Sequence, residues 1–229
     1  KRNHAHFITL FYIMNLQSLL QNIITIIAPP ICTYCRVWLE SDQVLCTNCM
    51  NALQPVVSKR IAITKTKELN VLAIGSYQDP LKSLILSKSS GNRTTAWLLG
   101  KLLWEQSLAQ SVSFDCIVPI PLHWSRYAWR GYNQAHVMSQ YIAQQSGKPL
   151  YNVLKRSSYT PFLSKIASDQ RHTLMHNVFT INKTSLLKDK HILLVDDLLT
   201  TGSTLKAAAK ELYKAQPKAI TALVVARVT

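Results

Sequence analysis

Ile192-Leu193-Leu194-Val195-Asp196-Asp197-Leu198-Leu199-Thr200-Thr201-Gly202-Ser203-Thr204 is the stretch whose reading decides the fold. Ile192 to Val195 reads as a buried strand, and two carboxylates, Asp196 and Asp197, stand at its carboxyl end. A Thr-Thr-Gly-Ser-Thr turn then leads into a helix. Gly202 permits the tight turn. The free backbone N–H groups there, with the hydroxyls of Thr200, Thr201, Ser203 and Thr204, can surround a phosphate, and the helix dipole adds a favourable field. The carboxylates cannot bind phosphate directly, but they accept hydrogen bonds from two vicinal hydroxyls of a ribose. Together the segment fits a ribose 5-phosphate. A Walker-type P-loop is excluded, because no Lys follows the glycine and an acidic pair has no place in it. The plain alternative is a strand-turn-helix with an N-cap and solvent carboxylates.

The surroundings carry the same architecture. His191 to Val195 is very apolar. Asn70 to Tyr77, Cys116 to Ile120 and Ala219 to Ala226 read as three more strands. Leu81 to Leu86, Thr94 to Leu108, Asn133 to Gln145 and Thr204 to Tyr213 read as helices. Strands alternating with helices predict an α/β domain with a mainly parallel sheet, whose ligands bind at the carboxyl ends of the strands. Cys116 falls in a buried strand and reads as a core thiol. Ser58 to Glu68, with Lys59, Arg60, Lys65 and Lys67, reads as a linker.

The chain has 229 residues, 26 Lys plus Arg against 11 Asp plus Glu, and a formal charge of +15. That length suits one medium domain plus a small appendage. With 48% hydrophobic residues the chain can build a core, which excludes a wholly disordered protein. The charge asks for a polyanionic partner or substrate; the bland alternative is a soluble basic protein. No acidic residue lies between Cys116 and Ser168, whereas Arg126, Arg130, Lys148, Lys155, Arg156 and Lys165 do.

Cys32-Thr33-Tyr34-Cys35 and Cys46-Thr47-Asn48-Cys49 form a C-x2-C-x10-C-x2-C pattern. Two such knuckles supply four thiolates for tetrahedral Zn(II), a structural site with no position left for water. Disulfides in a secreted protein are the weaker alternative. Before the cysteines, Ala5 to Tyr34 carries no Lys, Arg, Asp or Glu. Asn15, Gln17, Ser18, Gln21, Asn22 and Thr25 recur with helical spacing, opposite Leu16, Leu19, Leu20, Ile23, Ile24 and Ile27. The pattern predicts an amphipathic helix, ended by Pro29-Pro30, that packs on its own domain or touches a membrane surface. A signal peptide or a true span fits less well, since no small-residue cleavage site follows. Met14 is the first Met, so translation starting there makes residues 1–13 an upstream extension. The organisation expected is helix 1–28, zinc finger 29–57, linker 58–69 and main domain 70–229.

The Asp196–Thr204 run resembles the 5-phosphoribosyl-1-pyrophosphate (PRPP) motif of type I phosphoribosyltransferases: apolar strand, two acids, three variable residues, then Thr-Gly-Ser-Thr. Val118-Pro119-Ile120-Pro121-Leu122-His123 and Arg130-Gly131-Tyr132-Asn133-Gln134-Ala135 resemble the V-P-x-P-L-H and R-G-[FY]-N-Q-A signatures of the ComF (ComFC) competence-protein family. Tyr77-Gln78-Asp79-Pro80-Leu81, with Leu84, Ile85 and Lys88, resembles a third family segment. The resemblance covers Met14 to the end. It implies an amino-terminal tetracysteine zinc finger joined to a type I phosphoribosyltransferase fold. It also implies PRPP bound with Mg(II) by Asp196, Asp197, Leu198, Leu199, Thr200, Thr201, Gly202, Ser203 and Thr204. Pro121, Leu122, His123, Arg126, Arg130, Asn133 and Gln134 form the loop expected to meet pyrophosphate. Tyr132 and Asn133 fit equally well as capping and packing residues, and His123 fits slightly better as a cap. One departure stands out. Arg156, Thr160, Ile166, Arg171 and Phe179 hold the family register R-x3-T, Q-x2-L-x4-R-x2-N-x4-F, but Leu163 and Leu174 replace its Gln and Asn. This weakens an acceptor pocket more than PRPP binding.

The resemblance implies a cytoplasmic competence protein, at the inner-membrane face, that handles incoming single-stranded DNA in natural transformation. A translocation helicase or other competence proteins would be its partners. Trp124, Tyr127 and Trp129 interleave with Arg126 and Arg130, which suits stacking on single strands or a flap over the site. A metabolic phosphoribosyltransferase of nucleotide synthesis or salvage is the alternative, and a pure docking module is a third reading. Turnover of PRPP is left open.

Overall fold

The computed structural model describes residues 30–41, 43–56, 58–87, 93–156 and 178–228. The helix expected over 1–28 and the family positions Thr160, Leu163, Ile166, Arg171 and Leu174 lie outside these. Two compact units divide between Met50 and Asn51. In the first, Ile31 bridges Trp38, and Thr33 N donates to Val44 O at 3.0 Å. A short helix α1, Thr47–Asn51, carries Cys49.

The second unit contains, in chain order, β1 (Lys59–Ala62), β2 (Glu68–Ser76), α2 (Leu81–Ser87), α3 (Arg93–Gln106) and β3 (Cys116–Pro119). There follow α4 (Trp124–Arg130), α5 (Gln134–Ser146), β4 (Leu154–Arg156), β5 (Phe179–Ile181), β6 (His191–Leu199), α6 (Ser203–Leu212) and β7 (Ala219–Arg227). One sheet has the order β1-β2-β7-β6-β3, and β4 pairs antiparallel with β5 in a separate ribbon. All neighbours in the main sheet are parallel except β1, which runs antiparallel to β2. Ile192–Val195 of β6 and Ala222–Ala226 of β7 read as unbroken apolar runs because both faces are covered there. Alternation sorts the two faces. Cys116, Val118, Ile192, Leu194, Ala222 and Val224 share one core with Leu205, Ala208 and Leu212 of α6 and with Leu154 and Phe179. The opposite face packs on α5, which also pairs closely with α3. Gly100 makes that pairing possible: a Cβ there would stand 2.9 Å from Met138 Cα.

Two expectations change. Residues 59–62 are a strand, paired Lys59↔Val71 through Ala62↔Glu68, rather than linker. The exposed basic side chains that suggested a linker are those of an edge strand, where charge discourages further pairing. The decisive strand also runs to Leu199 instead of stopping at Val195, because Asp196, Leu198 and Leu199 pair with Val224, Ala226 and Arg227 of β7. Cys116 is fully buried, as a core thiol should be, and burial pushes its pKa up to about 11.

Candidate functional site

α5 and α6, which follow the neighbouring strands β3 and β6, cover opposite faces of the sheet. The carboxyl ends of β3 and β6 are therefore a topological switch point, the place where open α/β sheets bind ligands. The loop leaving β3 is tied to β6: Ile120 N donates to Val195 O at 2.9 Å. Asn133 then locks the loop to the next helix. Its Nδ2 donates to Ile120 O at 2.9 Å, and its Oδ1 accepts from Ala135 N at 3.1 Å as the N-cap of α5. His123 is likewise a cap, its Nδ1 accepting from Ser125 N at the start of α4. Of the alternatives held open for these two side chains, the structure shows the capping geometry.

Because β6 continues through the acidic pair, adjacent carboxylates lean to opposite sides of the strand. On the α5 side, buried Gln134 donates Nε2 to Asp197 Oδ2 at 3.0 Å and accepts from Arg130 Nη1 at 3.2 Å. On the side of β4, Asp196 acts electrostatically on Arg156. Burial, then Arg126, lowers the Arg156 pKa, with Asp196 opposing; burial, then Arg126, lowers that of Arg130. Both guanidiniums stay charged. Arg130 Nε is buried without a hydrogen-bond partner among the described residues. Two cations held at this cost, one with a spare donor, form an environment for an anion.

The turn after β6 is compact. Gly202 has φ +84°, and a Cβ there would meet Ile61 Cδ1 at 2.8 Å. The positive φ is what favours glycine here, because the Ile61 methyl end can shift aside. Thr201 Oγ1 donates to Ser203 Oγ at 3.1 Å and accepts from Ser203 N at 3.4 Å. Thr200 and Thr201 are exposed, Ser203 and Thr204 half-buried, and Leu199 is buried beneath the turn. The sequence-derived residues Asp197, Arg130 and Gln134 thus meet directly. Leu198 and Leu199 contribute backbone pairing, and Pro121 and Leu122 are half-buried in the loop after β3. Arg126 is exposed. Arg156 was legible only as the first residue of a family pattern; its approach to Asp196 needs the β4–β5 ribbon.

α4 buries none of its residues. Trp124 and Trp129 are each 72% exposed and Tyr127 is 52% exposed. Arg130 lies 5.9 Å from the Trp129 ring.

In the first unit, the Sγ atoms of Cys32, Cys35, Cys46 and Cys49 all lie within 4.8 Å of one another, with Cys35 and Cys46 3.6 Å apart. Tetrahedral Zn–S bonds of about 2.3 Å require sulfurs about 3.8 Å apart, so this set could hold zinc with little adjustment. Burial raises the Cys32 thiol, but amides of Cys46, Cys35 and Tyr34 and the Cys35 thiol outweigh it and bring the pKa to about 6. Burial, with the neighbouring thiols, raises Cys49. Four such thiols cannot all ionise without a cation among them.

The phosphoribosyl transferase domain family matches residues 104–228, more than half of the chain. That defines the class: a type I phosphoribosyltransferase fold preceded by a tetracysteine cluster. The chain is 30% identical over 193 residues to Competence protein F of Haemophilus influenzae, covering 81% of this chain and 79% of that protein. It is 34% identical over 94 residues to Competence protein ComFC of Bacillus subtilis, covering 41% and 36%. It is 27% identical over 194 residues to the DNA utilization protein YhgH of Salmonella typhimurium, covering 80% and 84%. The chain belongs to the ComF/ComFC family.

Proposed function

We propose that this chain binds PRPP with Mg(II) at the end of β6 and serves natural transformation by handling incoming single-stranded DNA on the cytoplasmic side of the inner membrane. The observation that carries the first part is the convergence of Arg130, Gln134 and Arg156 on the Asp196–Asp197 strand end. The turn from Thr200 to Thr204 offers amides and hydroxyls to the 5-phosphate. Asp196 and Asp197 take ribose hydroxyls from either side of the strand end, and Arg130 and Arg156 face the pyrophosphate. The same carboxylates are hard oxygen donors of the kind Mg(II) prefers, and the ion would neutralise pyrophosphate charge. If PRPP turns over, the C1–pyrophosphate bond breaks as an acceptor bonds to C1. Positioning and fixed charge, rather than a covalent nucleophile, then carry the step.

The competence role is supported by the kinship with Competence protein F and ComFC. The strand-handling role is supported by α4, whose exposed Trp124, Tyr127 and Trp129 offer stacking faces beside Arg126 and Arg130. Zinc in the four-cysteine cluster would stabilise a unit too small for a core of its own. Among the described residues, no helix is long and apolar enough to cross a membrane.

Calorimetric titration of PRPP with Mg(II) into wild type and an Asp196→Asn, Asp197→Asn variant tests the ligand reading. Binding by wild type and loss in the variant is expected. No binding by folded, metal-loaded wild type would leave the fold as a scaffold for DNA or protein docking.

A further inference from the structure

Lys206, Lys210, Lys214 and Lys218 recur at every fourth position, and all four are exposed. The first three lie on α6 and the short 3-10 turn Tyr213–Ala215 that continues it. One lysine thus faces solvent about every 6 Å along the helix axis. The β1–β2 hairpin meets this element at its two ends. At one end Ile61 packs over Gly202; at the other Tyr213 Oη donates to Glu68 O at 3.0 Å, and Lys67 Nζ sits 5.6 Å from the Tyr213 ring. Alternation along β1 sends Lys59 to the same side as Ile61, and Lys65 lies in the hairpin turn. Against these cations stand Glu68 and Glu211, and Glu211 is paired with Lys214 at 2.6 Å. Lys206 and Lys210 have no ion-pair partner among the described residues.

We infer that this lysine row, flanked by the β1–β2 hairpin, is a track for the phosphate backbone of a nucleic-acid strand, beginning at the turn that opens α6. The chemistry of the face selects that partner. It presents no exposed large hydrophobic side chain, since none of those exposed in the described residues lies on α6 or the hairpin. Insertion into a lipid interface needs apolar residues and base stacking needs aromatics, and this face offers neither. A regularly spaced row of lysines, with Glu211 the one acid on α6, reads backbone charge alone. This surface is distinct from α4, which supplies the stacking faces, and from the PRPP turn itself. It shares with the proposed function only the class of partner.

Counterion release makes the inference measurable. On a single strand each neutralised phosphate adds about −0.7 to the slope of log K against log salt. Binding of a fluorescein-labelled oligothymidylate to the full, zinc-loaded chain would be followed by anisotropy between about 50 and 200 mM salt. The variant Lys206→Gln, Lys210→Gln, Lys214→Gln is expected to lose about 2 from the slope magnitude, while the matching Lys→Arg variant keeps the wild-type slope. Trp124→Ala with Trp129→Ala should weaken binding about tenfold at every salt concentration and leave the slope alone. An unchanged slope in the Lys→Gln variant overturns the track even if the tryptophan variant still weakens binding, which would leave the α4 reading standing. No oligonucleotide binding by wild type overturns both, whereas PRPP titration reads the nucleotide site separately. Loss of binding to phosphatidylserine vesicles with an unchanged oligonucleotide slope would assign the row to a lipid surface instead.

Discussion

Gln134 donates its side-chain amide to Asp197 at 3.0 Å, joining the first residue of α5 to the acidic pair of β6 across 63 positions of sequence. The same side chain accepts from Arg130 at 3.2 Å. Gln134 is therefore the link by which the loop after β3 and the end of β6 hold one geometry. Removing it leaves a buried guanidinium and a carboxylate without their shared partner. Gln134→Leu is expected to weaken PRPP binding about tenfold, the worth of a hydrogen bond to a charged group. Titration calorimetry beside a thermal melt reads it; unchanged affinity in a folded variant would show that the link is only structural.

Gly202→Ala meets one main penalty, in the backbone, and a smaller one, in a side-chain contact that can shift. An L side chain at φ +84° costs about 1–2 kcal/mol, and the new Cβ lies 2.8 Å from Ile61 Cδ1. A drop in Tm of several degrees is expected, about 2–4 °C per kcal/mol in a chain of this size. Adding Ile61→Ala should recover the contact penalty and leave the backbone one. Full recovery in the double variant would mean that the backbone conformation is relaxed.

Zinc analysis of the purified chain should find about one ion per molecule, lost in Cys46→Ser. The second unit has its own core and should keep its melting transition, while hydrogen exchange in residues 30–50 accelerates. Retention of zinc by Cys46→Ser would rule out the four-cysteine ligand set.

Burial, with Arg156 and Arg126 nearby, lowers the His123 pKa below its ordinary value. The unfolded chain then takes up a proton first as pH falls through about 6.5, so the folded cap loses stability from there down to the folded-state pKa. Protonation also removes the Nδ1 acceptor that caps α4. Because Trp124 lies 5.6 Å from the His123 ring, tryptophan emission should titrate in acid, below the unperturbed histidine range, and His123→Asn should abolish that transition. An identical transition in the variant would assign it to another group.

The sequence by itself determined the local chemistry. The apolar run Ile192–Val195, the Thr-Gly-Ser-Thr turn and the cysteine spacing are each set by neighbours in the chain, so period, turn residues and ligand spacing suffice to read them. Most strand and helix boundaries came within two residues for the same reason. Long-range pairing decided the rest. Whether Asp196 and Asp197 sit in a turn or a strand depends on β7 continuing alongside to Arg227, which no local pattern reports. Lys59–Ala62 has the composition of a linker and becomes a strand only because β2 offers a free edge. The meeting of Arg130, Gln134 and Asp197, and the approach of Arg156 to Asp196, arise where connections leave β3 and β6 for opposite faces. That is a property of sheet topology, and only the folded chain brings those charges together.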